Sequence, residues 1–326
     1  MTAGPTWIFD GSPLADPHGC GERAVQFLKL LKHPKSTAAG SRFQLWPFQE
    51  RIVRRVYGDT REEGRRRVQT VFMMLPRGNR KTALAGGLAL LHTLGPERLP
   101  GGYAISAAAD QQQSRIAFEE AKMIVEATPQ IHRVVTIRDT RNRIAYGKIG
   151  SELHSISSDG KTKHGSTPTF IIADELHAWT KASLWEAMRT GLAKTPNSLL
   201  WIITTAGRGK MNLAWPLYEY ARKVQGGAID DPGFLPILFE PDEGDDWEDE
   251  ALWHRVNPGL AHGFPDIEGL RQYAREARER SIERDIFRQY HLNTWLDGSA
   301  TPWVEPAVYD APSNAEPIDE EALRGE

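Results

Sequence analysis

Short apolar runs alternate with amphipathic segments over the first two thirds of the chain. The apolar, β-branched runs predict buried strands at 68–75, 102–108, 169–173 and 199–205. Paired strands with turns are expected at 134–157. Helical patterns predict helices at 21–32, from near Pro47, and at 81–94, 111–127 and 183–192. Strands that alternate with helices are typical of a parallel α/β sheet.

The pattern changes after residue 225. Gly226-Gly227 and the acidic run at 242–250 are typical of loops and solvated surface. Residues 266–292 predict a charged, amphipathic helical region. The segment after Gly298 is rich in proline and acidic residues, so we expect it to be poorly packed.

Composition narrows the class of protein without identifying it. The chain has 326 residues, 40% of them hydrophobic, and a net charge of −3, which does not fit a wholly basic nucleic-acid coat protein. The single cysteine, Cys20, excludes an internal disulfide framework and a cysteine-rich zinc module. No apolar run approaches the roughly 20 residues that a transmembrane helix needs. We therefore expect a soluble, cytosolic protein with no membrane partner.

A first candidate site follows the strand predicted at 68–75. Lys81 and Thr82 stand after a strand and open a helix, where a phosphate-binding loop places its ammonium group and its Mg²⁺-binding hydroxyl. The strict pattern GxxxxGK[ST] fails, because Leu75 and Arg80 occupy its two glycine positions. A basic turn before a helix is the alternative interpretation.

Two further strand ends carry polar residues. Asp174 and Glu175 follow an apolar strand, where an NTPase holds Mg²⁺ with the first carboxylate and orients the attacking water with the second. Thr204 and Thr205 end the next predicted strand and could sense a terminal phosphate. Each motif has a structural alternative: an acidic helix cap for the first pair and strand propensity for the second.

The segment before the first predicted strand offers a base-binding candidate. The Gln49 amide can pair with a donor and an acceptor on adenine, and the nearby aromatic Trp46 can stack on the base. A helix start whose aromatic residues belong to the core explains the same residues equally well.

These motifs, in this order, resemble the ATPase part of the large terminase subunit of tailed bacteriophages. The resemblance covers about residues 42–305 and rests on the segments 45–49, 76–82, 171–177 and 204–207, with further similarity at 160–169 and 287–295. It implies a P-loop NTPase of the ASCE (RecA-like) class. Such a fold is a mainly parallel sheet flanked by helices, with a small helical lid subdomain.

The resemblance also implies roles for individual residues. Gln49 and Trp46 would bind adenine, and Lys81 would bind the β- and γ-phosphates. Thr82 and Asp174 would hold Mg²⁺, and Glu175 would be the catalytic carboxylate. Arg77 would sense or stabilise the γ-phosphate, while Thr204 and Thr205 would couple hydrolysis to movement. The remaining nucleotide-binding positions of the loop would be Gly78, Asn79 and Arg80.

For the whole protein, the resemblance implies ATP-driven translocation of double-stranded viral DNA into a procapsid. The expected partners are the portal protein, a small terminase subunit and other copies in a docked ring, although an isolated piece could be monomeric. The expected location is the host cytoplasm. The expected parts are an N-terminal helical segment at 1–41, the ATPase core at 42–225, a lid or linker at 226–300 and, at 301–326, a linker toward a nuclease domain expected outside this chain.

Arg80 departs from the family pattern, which usually has glycine there. A residue with a Cβ is disfavoured where the loop needs a positive φ, so we hypothesise altered or weakened nucleotide binding. Two alternatives stay open. A helicase-like ATPase would require a second RecA-like domain, and a degenerate P-loop protein would bind DNA or a capsid partner without turnover.

Overall fold

One eight-stranded sheet forms the centre of the computed structural model, which describes residues 5–34, 40–157 and 167–297. The strand order is β3-β4-β5-β2-β6-β7-β1-β8. The strands are β1 (Thr70–Met74), β2 (Tyr103–Ala108), β3 (Thr136–Arg138), β4 (Arg143–Tyr146), β5 (Ser151–Ser157), β6 (Phe170–Asp174), β7 (Leu199–Thr204) and β8 (Phe234–Leu238). All neighbouring pairs from β5 to β8 are parallel, and β3 and β4 add an antiparallel edge.

Helices cover both faces of this sheet. They are α1 (Cys20–Leu30), α2 (Pro47–Gly58), α3 (Lys81–Thr93), α4 (Gln111–Ala127), the single turn α5 (Pro129–His132), α6 (Ala182–Leu192) and α7 (Trp215–Gln225), followed by α8 (Glu250–Val256), α9 (Ile267–Glu279) and α10 (Ser281–His291). The predicted mainly parallel sheet flanked by helices is thus confirmed.

Strand alternation divides the core into two layers. Val71 and Met73 of β1 belong to the hydrophobic cluster that includes α1 to α4, whereas Phe72 and Met74 belong to the cluster that includes α6 and α7. All four side chains are fully buried, as expected for a strand covered on both faces. The continuous apolar runs in the sequence have this origin.

A third hydrophobic cluster lies in the C-terminal helical part. Leu252 and Trp253 of α8 pack with Leu270 of α9 and Phe287 of α10. The amphipathic region predicted at 266–292 is therefore two helices, which meet at Arg280. These helices have their own small core, which is the arrangement that the predicted lid requires.

Strand β8 was missed by the sequence analysis. It pairs with β1 in parallel, with Thr70 opposite Phe234 and Met74 opposite Leu238, so the sheet extends beyond residue 225. The strand contains Pro236, which disfavours a strand assignment from sequence, although proline is tolerated at a sheet edge. Helix α7, just before it, was not predicted either.

Some expectations concern residues that the structure does not describe. The motif stretch at 160–169 lies mostly outside the described residues, as does the predicted linker at 301–326. Over the described ranges, every helix is too short or too polar to span a bilayer.

Candidate nucleotide site

Three neighbouring strands bring the predicted motifs to one edge of the sheet. β7 lies between β6 and β1, with Asp174 opposite Ile203 and Thr204 opposite Met74. Because all three strands are parallel, their carboxyl ends lie side by side, and ligands of open α/β sheets bind at this edge. The phosphate-binding loop, the acidic pair and the threonine pair therefore converge.

The loop after β1 contains two residues with positive φ and leads directly into a helix. Gly78 has a φ of 89° and Arg80 a φ of 55°, and α3 begins directly afterwards at Lys81. The expectation that position 80 requires a positive φ is confirmed. The first N–H groups of α3, which lack helical partners, face this end of the sheet and favour an anion.

Lys81 lies at the centre of the converging motifs. Its side chain is only 9% exposed, and its Nζ donates a hydrogen bond to the Leu75 carbonyl oxygen at 2.8 Å. The same Nζ lies 3.3 Å from Oε1 of Glu175. The lysine ammonium therefore bridges the start of the loop and the acidic strand end.

Glu175 is held by several groups at once. Its Oε2 accepts hydrogen bonds from the backbone N–H and the Oγ1 of Thr205 at 3.2 and 3.3 Å, and lies 3.1 Å from Nδ1 of His177. Burial alone would raise the pKa of Glu175, but the Lys81 charge and these hydrogen bonds hold that pKa well below its ordinary value. The carboxylate is ionised throughout the neutral range.

Asp174 has the opposite electrostatic behaviour. Burial, together with the negative charge of Glu175, raises the pKa of Asp174 to about 7. A nearby cation would strongly stabilise the ionised form of a half-buried carboxyl of this kind. Asp174 therefore fits the predicted Mg²⁺ position, and Thr82, half-buried in the first turn of α3, fits the hydroxyl ligand.

The described residues contain no ready-made cluster of three or more His, Cys, Asp or Glu side chains for a metal ion. Mg²⁺ is commonly held by one or two carboxylates together with substrate phosphates, and Asp174 with Thr82 matches that donor set.

The threonine pair contacts the acidic pair directly through Thr205 and, for Thr204, through His177. Thr204 is fully buried, and its Oγ1 donates to the Thr205 carbonyl oxygen and accepts from the His177 backbone N–H at 3.2 Å. Nδ1 of His177 lies 3.1 Å from Oγ1 of Thr204. Glu175, His177 and the end of β7 therefore form one hydrogen-bonded group.

The base-binding candidates lie beside the loop. The Trp46 ring is 4.9 Å from the rings of His262 and Phe264, and the Arg80 guanidinium lies 5.4 Å from Trp46 and 4.4 Å from Phe264. Gln49 is 3% exposed, and its Oε1 accepts the Trp46 backbone N–H at 3.2 Å. In this state, Gln49 caps helix α2, and an adenine would have to compete with that bond.

Two loop side chains turn toward the C-terminal helices. The Arg77 guanidinium lies 3.6 Å from the Tyr290 ring, and the Arg77 backbone N–H donates to the Tyr290 carbonyl oxygen at 2.8 Å. Asn79 is fully buried and hydrogen-bonded to Asn257. The predicted contacts of both residues with nucleotide stay predictions, and in this structure their side chains contact α10 and the end of α8.

Sequence reasoning missed four polar residues that support the site. Asn293 accepts the Ala206 backbone N–H at 3.1 Å, and Gln289 donates to the Ala206 carbonyl oxygen at 3.0 Å. His177 and Asn257 complete the group. His177, Gln289 and Asn293 lie in the motif segments 171–177 and 287–295, but a motif does not specify which distant group each side chain contacts.

Comparison with known proteins shows a family to which this chain is similar. A family model described as "Terminase large subunit, ATPase domain" matches residues 47–223. The large terminase subunit of Enterobacteria phage HK97 is 25% identical over 293 residues, which cover 89% of this chain and 56% of that protein. Protein YmfN of Escherichia coli K12 is 31% identical over 134 residues, covering 40% of this chain and 29% of that protein.

The fold has a solved counterpart. The crystal structure of the HK97 large terminase matches with a TM-score of 0.75 and 24% identity, over 84% of this chain and 55% of that one. The chain thus spans a little over half the length of the phage relative, and the likeness extends beyond the residues of the family model.

Proposed function

Because this chain belongs to the family of terminase large-subunit ATPase domains, we propose that it is the ATPase motor part of a viral DNA-packaging terminase. The observation that carries the proposal is the convergence of Lys81, Asp174 and Glu175 at the carboxyl ends of adjacent parallel strands. The substrate is ATP with Mg²⁺, and the cargo is double-stranded DNA.

The contacts described above support a task for each residue. The loop N–H groups and Lys81 would bind the phosphates, and Thr82 and Asp174 would hold Mg²⁺, which would neutralise phosphate charge when bound. Glu175 remains ionised at neutral pH and orients the attacking water while accepting its hydrogen bond. Trp46 and Gln49 would receive the adenine, and Arg77 would turn from Tyr290 toward the γ-phosphate.

Coupling follows from the contacts of Glu175. The carboxylate is hydrogen-bonded to Thr205, and the next residue, Ala206, is bonded through its backbone to Gln289 and Asn293. A change in the charge around Glu175 on hydrolysis would therefore reach the C-terminal helices, which act as the lid. In the packaging machine, the partners would be the portal protein, a small terminase subunit and further copies in a ring, assembled in the host cytoplasm.

The direct test is ATP hydrolysis with Mg²⁺, with and without double-stranded DNA, across a range of protein concentrations. We expect turnover that DNA stimulates and that Glu175→Gln lowers by about 10²- to 10⁴-fold. Binding of ATP should survive that substitution, because the phosphate ligands remain. Absence of turnover in every DNA and salt condition, with ATP still bound, would instead favour a structural DNA- or capsid-binding role.

A further inference from the structure

The side chain of Asn79 bonds to the C-terminal part of the chain as well as to its own loop. Its Nδ2 donates to Oδ1 of Asn257 at 2.8 Å and to the Pro76 carbonyl oxygen at 3.2 Å, and its Oδ1 accepts the Gly259 backbone N–H at 3.0 Å. The residue is 0% exposed. With these bonds formed, the amide serves the packing of the loop.

Asn257 joins three parts of the molecule. It is fully buried at the C-terminal end of α8, where its Nδ2 donates to the carbonyl oxygens of Trp253 and His291 at 3.0 and 2.9 Å. Its Oδ1 accepts from Asn79 in the loop. One side chain therefore connects α8, the end of α10 and the phosphate-binding loop.

The segment after Asn257 closes around the same loop. A Cβ atom added to Gly78 would lie 2.7 Å from Cβ of Pro265, so the Gly78 backbone packs directly against the Pro265 ring. Phe264, one residue earlier, places its ring under the Arg80 guanidinium. Both contacts fall on loop residues that have positive φ values, Gly78 at 89° and Arg80 at 55°.

A non-glycine residue with positive φ persists only where its surroundings hold it in place. Here Pro265 and Phe264, from the C-terminal part of the chain, pack against the two positive-φ residues. Between those two residues, Asn79 is bonded to Asn257, 178 residues away along the sequence. We propose that Asn257 is a positioning residue, which sets the conformation of the phosphate-binding loop through Asn79 without contacting the nucleotide. This inference rests on the proposed ATP-binding function of the loop.

The test is a double-mutant cycle with Asn79→Ala and Asn257→Ala in the full chain. Two quantities are measured for each protein: the Kd for a fluorescent ATP analogue with Mg²⁺, and hydrogen exchange of the backbone at 76–82. We expect each single variant to weaken ATP binding about tenfold, which is about 1.4 kcal/mol. Exchange at 76–82 should become faster, and the double variant should bind no more than about twofold weaker than either single variant.

The matched control is Thr128→Ala. Thr128 is 2% exposed, and its Oγ1 donates to the Ile124 carbonyl oxygen, so the substitution also removes a buried hydrogen bond, but at the far end of α4. It should lower thermal stability while leaving ATP affinity and exchange at 76–82 unchanged. If Asn257→Ala does not fold, Asn257→Ser retains a small polar group and serves in its place.

The outcomes separate this inference from the proposed function. Wild-type affinity and wild-type exchange at 76–82 in Asn257→Ala would overturn the positioning role, as would fully additive effects in the cycle. If the wild-type chain binds no ATP, the proposed function fails. The exchange measurement would still decide whether Asn257 holds the loop.

Discussion

Arg80 and Glu175 adopt the same unusual backbone conformation for different reasons. Each follows a strand of the central sheet and precedes a helical turn, and their φ values are 55° and 47°. Glu175 is surrounded by charged and polar partners, Lys81, His177 and Thr205. Arg80 instead lies against the aromatic rings of Trp46 and Phe264.

The difference shows two ways of supporting a left-handed residue, a conformation that costs about 1–2 kcal/mol outside glycine. At Glu175, the surrounding groups bond to the carboxylate and hold it in its ionised form. At Arg80, the support comes from packing contacts of segments far away in the chain. The first arrangement depends on charge pairing and hydrogen bonds, whereas the second depends on packing that includes the C-terminal segment.

The largest expected effect concerns the acidic strand end. The pKa of Asp174 rises from 3.8 unfolded to about 7 folded, so the folded state binds the extra proton and stability falls as pH rises between these values. Asp174→Asn removes this loss of stability, because the amide does not ionise. The quantity compared is the free energy of unfolding of the variant minus that of the wild type, without Mg²⁺ and nucleotide. We expect this difference to be larger at pH 8 than at pH 4 by roughly 2–4 kcal/mol.

Chemical denaturation at the two pH values measures this difference. Saturating Mg²⁺ and ATP should stabilise the wild type and reduce the gap, because the variant lacks the carboxylate ligand. An equal stability difference at both pH values would contradict the electrostatic account of Asp174.

An intermediate effect comes from glycine at each left-handed position. Both Glu175→Gly and Arg80→Gly relieve the backbone conformation. Only Glu175→Gly removes the carboxylate beside the buried Lys81 ammonium. We expect it to be less stable than Arg80→Gly by about 1–3 kcal/mol, the usual cost of an unpaired buried polar group.

The same pair tests the hypothesis on nucleotide binding. Arg80→Gly should bind ATP several-fold more tightly than the wild type if the arginine weakens binding. Calorimetric titration measures this affinity, and unchanged affinity would reject the hypothesis. Thermal unfolding of both variants provides the stability comparison.

The smallest expected effect isolates the ring contacts. Arg80→Lys retains the Cβ, the positive charge and the backbone requirement, but loses the planar stacking on Phe264. We expect a loss of about 0.5–1 kcal/mol in stability. Arg55→Lys is the matched control, because the Arg55 guanidinium lies 5.6 Å from the ring of Trp7, away from the site. A loss in Arg55→Lys as large as that in Arg80→Lys, with the same change in ATP affinity, would show that the ring contacts at Arg80 have no special role.

Much of the sheet and the placement of the chemistry were accessible from sequence. The apolar runs predicted β1, β2, β6 and β7, with ends within two residues of those observed. Parallel order then implied that Lys81, Asp174 and Thr204 share one edge. Strand β8 was missed because it contains a proline and follows a glycine-rich turn, and both features are typical of loops. It is nevertheless a buried edge strand.

The roles within the loop were harder to predict. The family pattern puts Asn79 among nucleotide-binding positions, yet its side chain is bonded to Asn257. Arg77 likewise stacks on Tyr290 in this state. A motif reports which residues neighbour the phosphate along the chain, whereas the direction of each side chain depends on groups that approach from elsewhere.

The sequence by itself determined the strand-and-helix alternation, the burial of both sheet faces and the presence of a lysine, two carboxylates and two threonines at strand ends. These follow from local periodicity and from the chemistry of single residues. Only the tertiary structure decided that Lys81 meets Glu175, that Arg80 is held by Phe264 and that Asn257 reaches the loop. The reason is physical: such contacts join residues far apart in the chain, and their formation depends on the packing of whole elements.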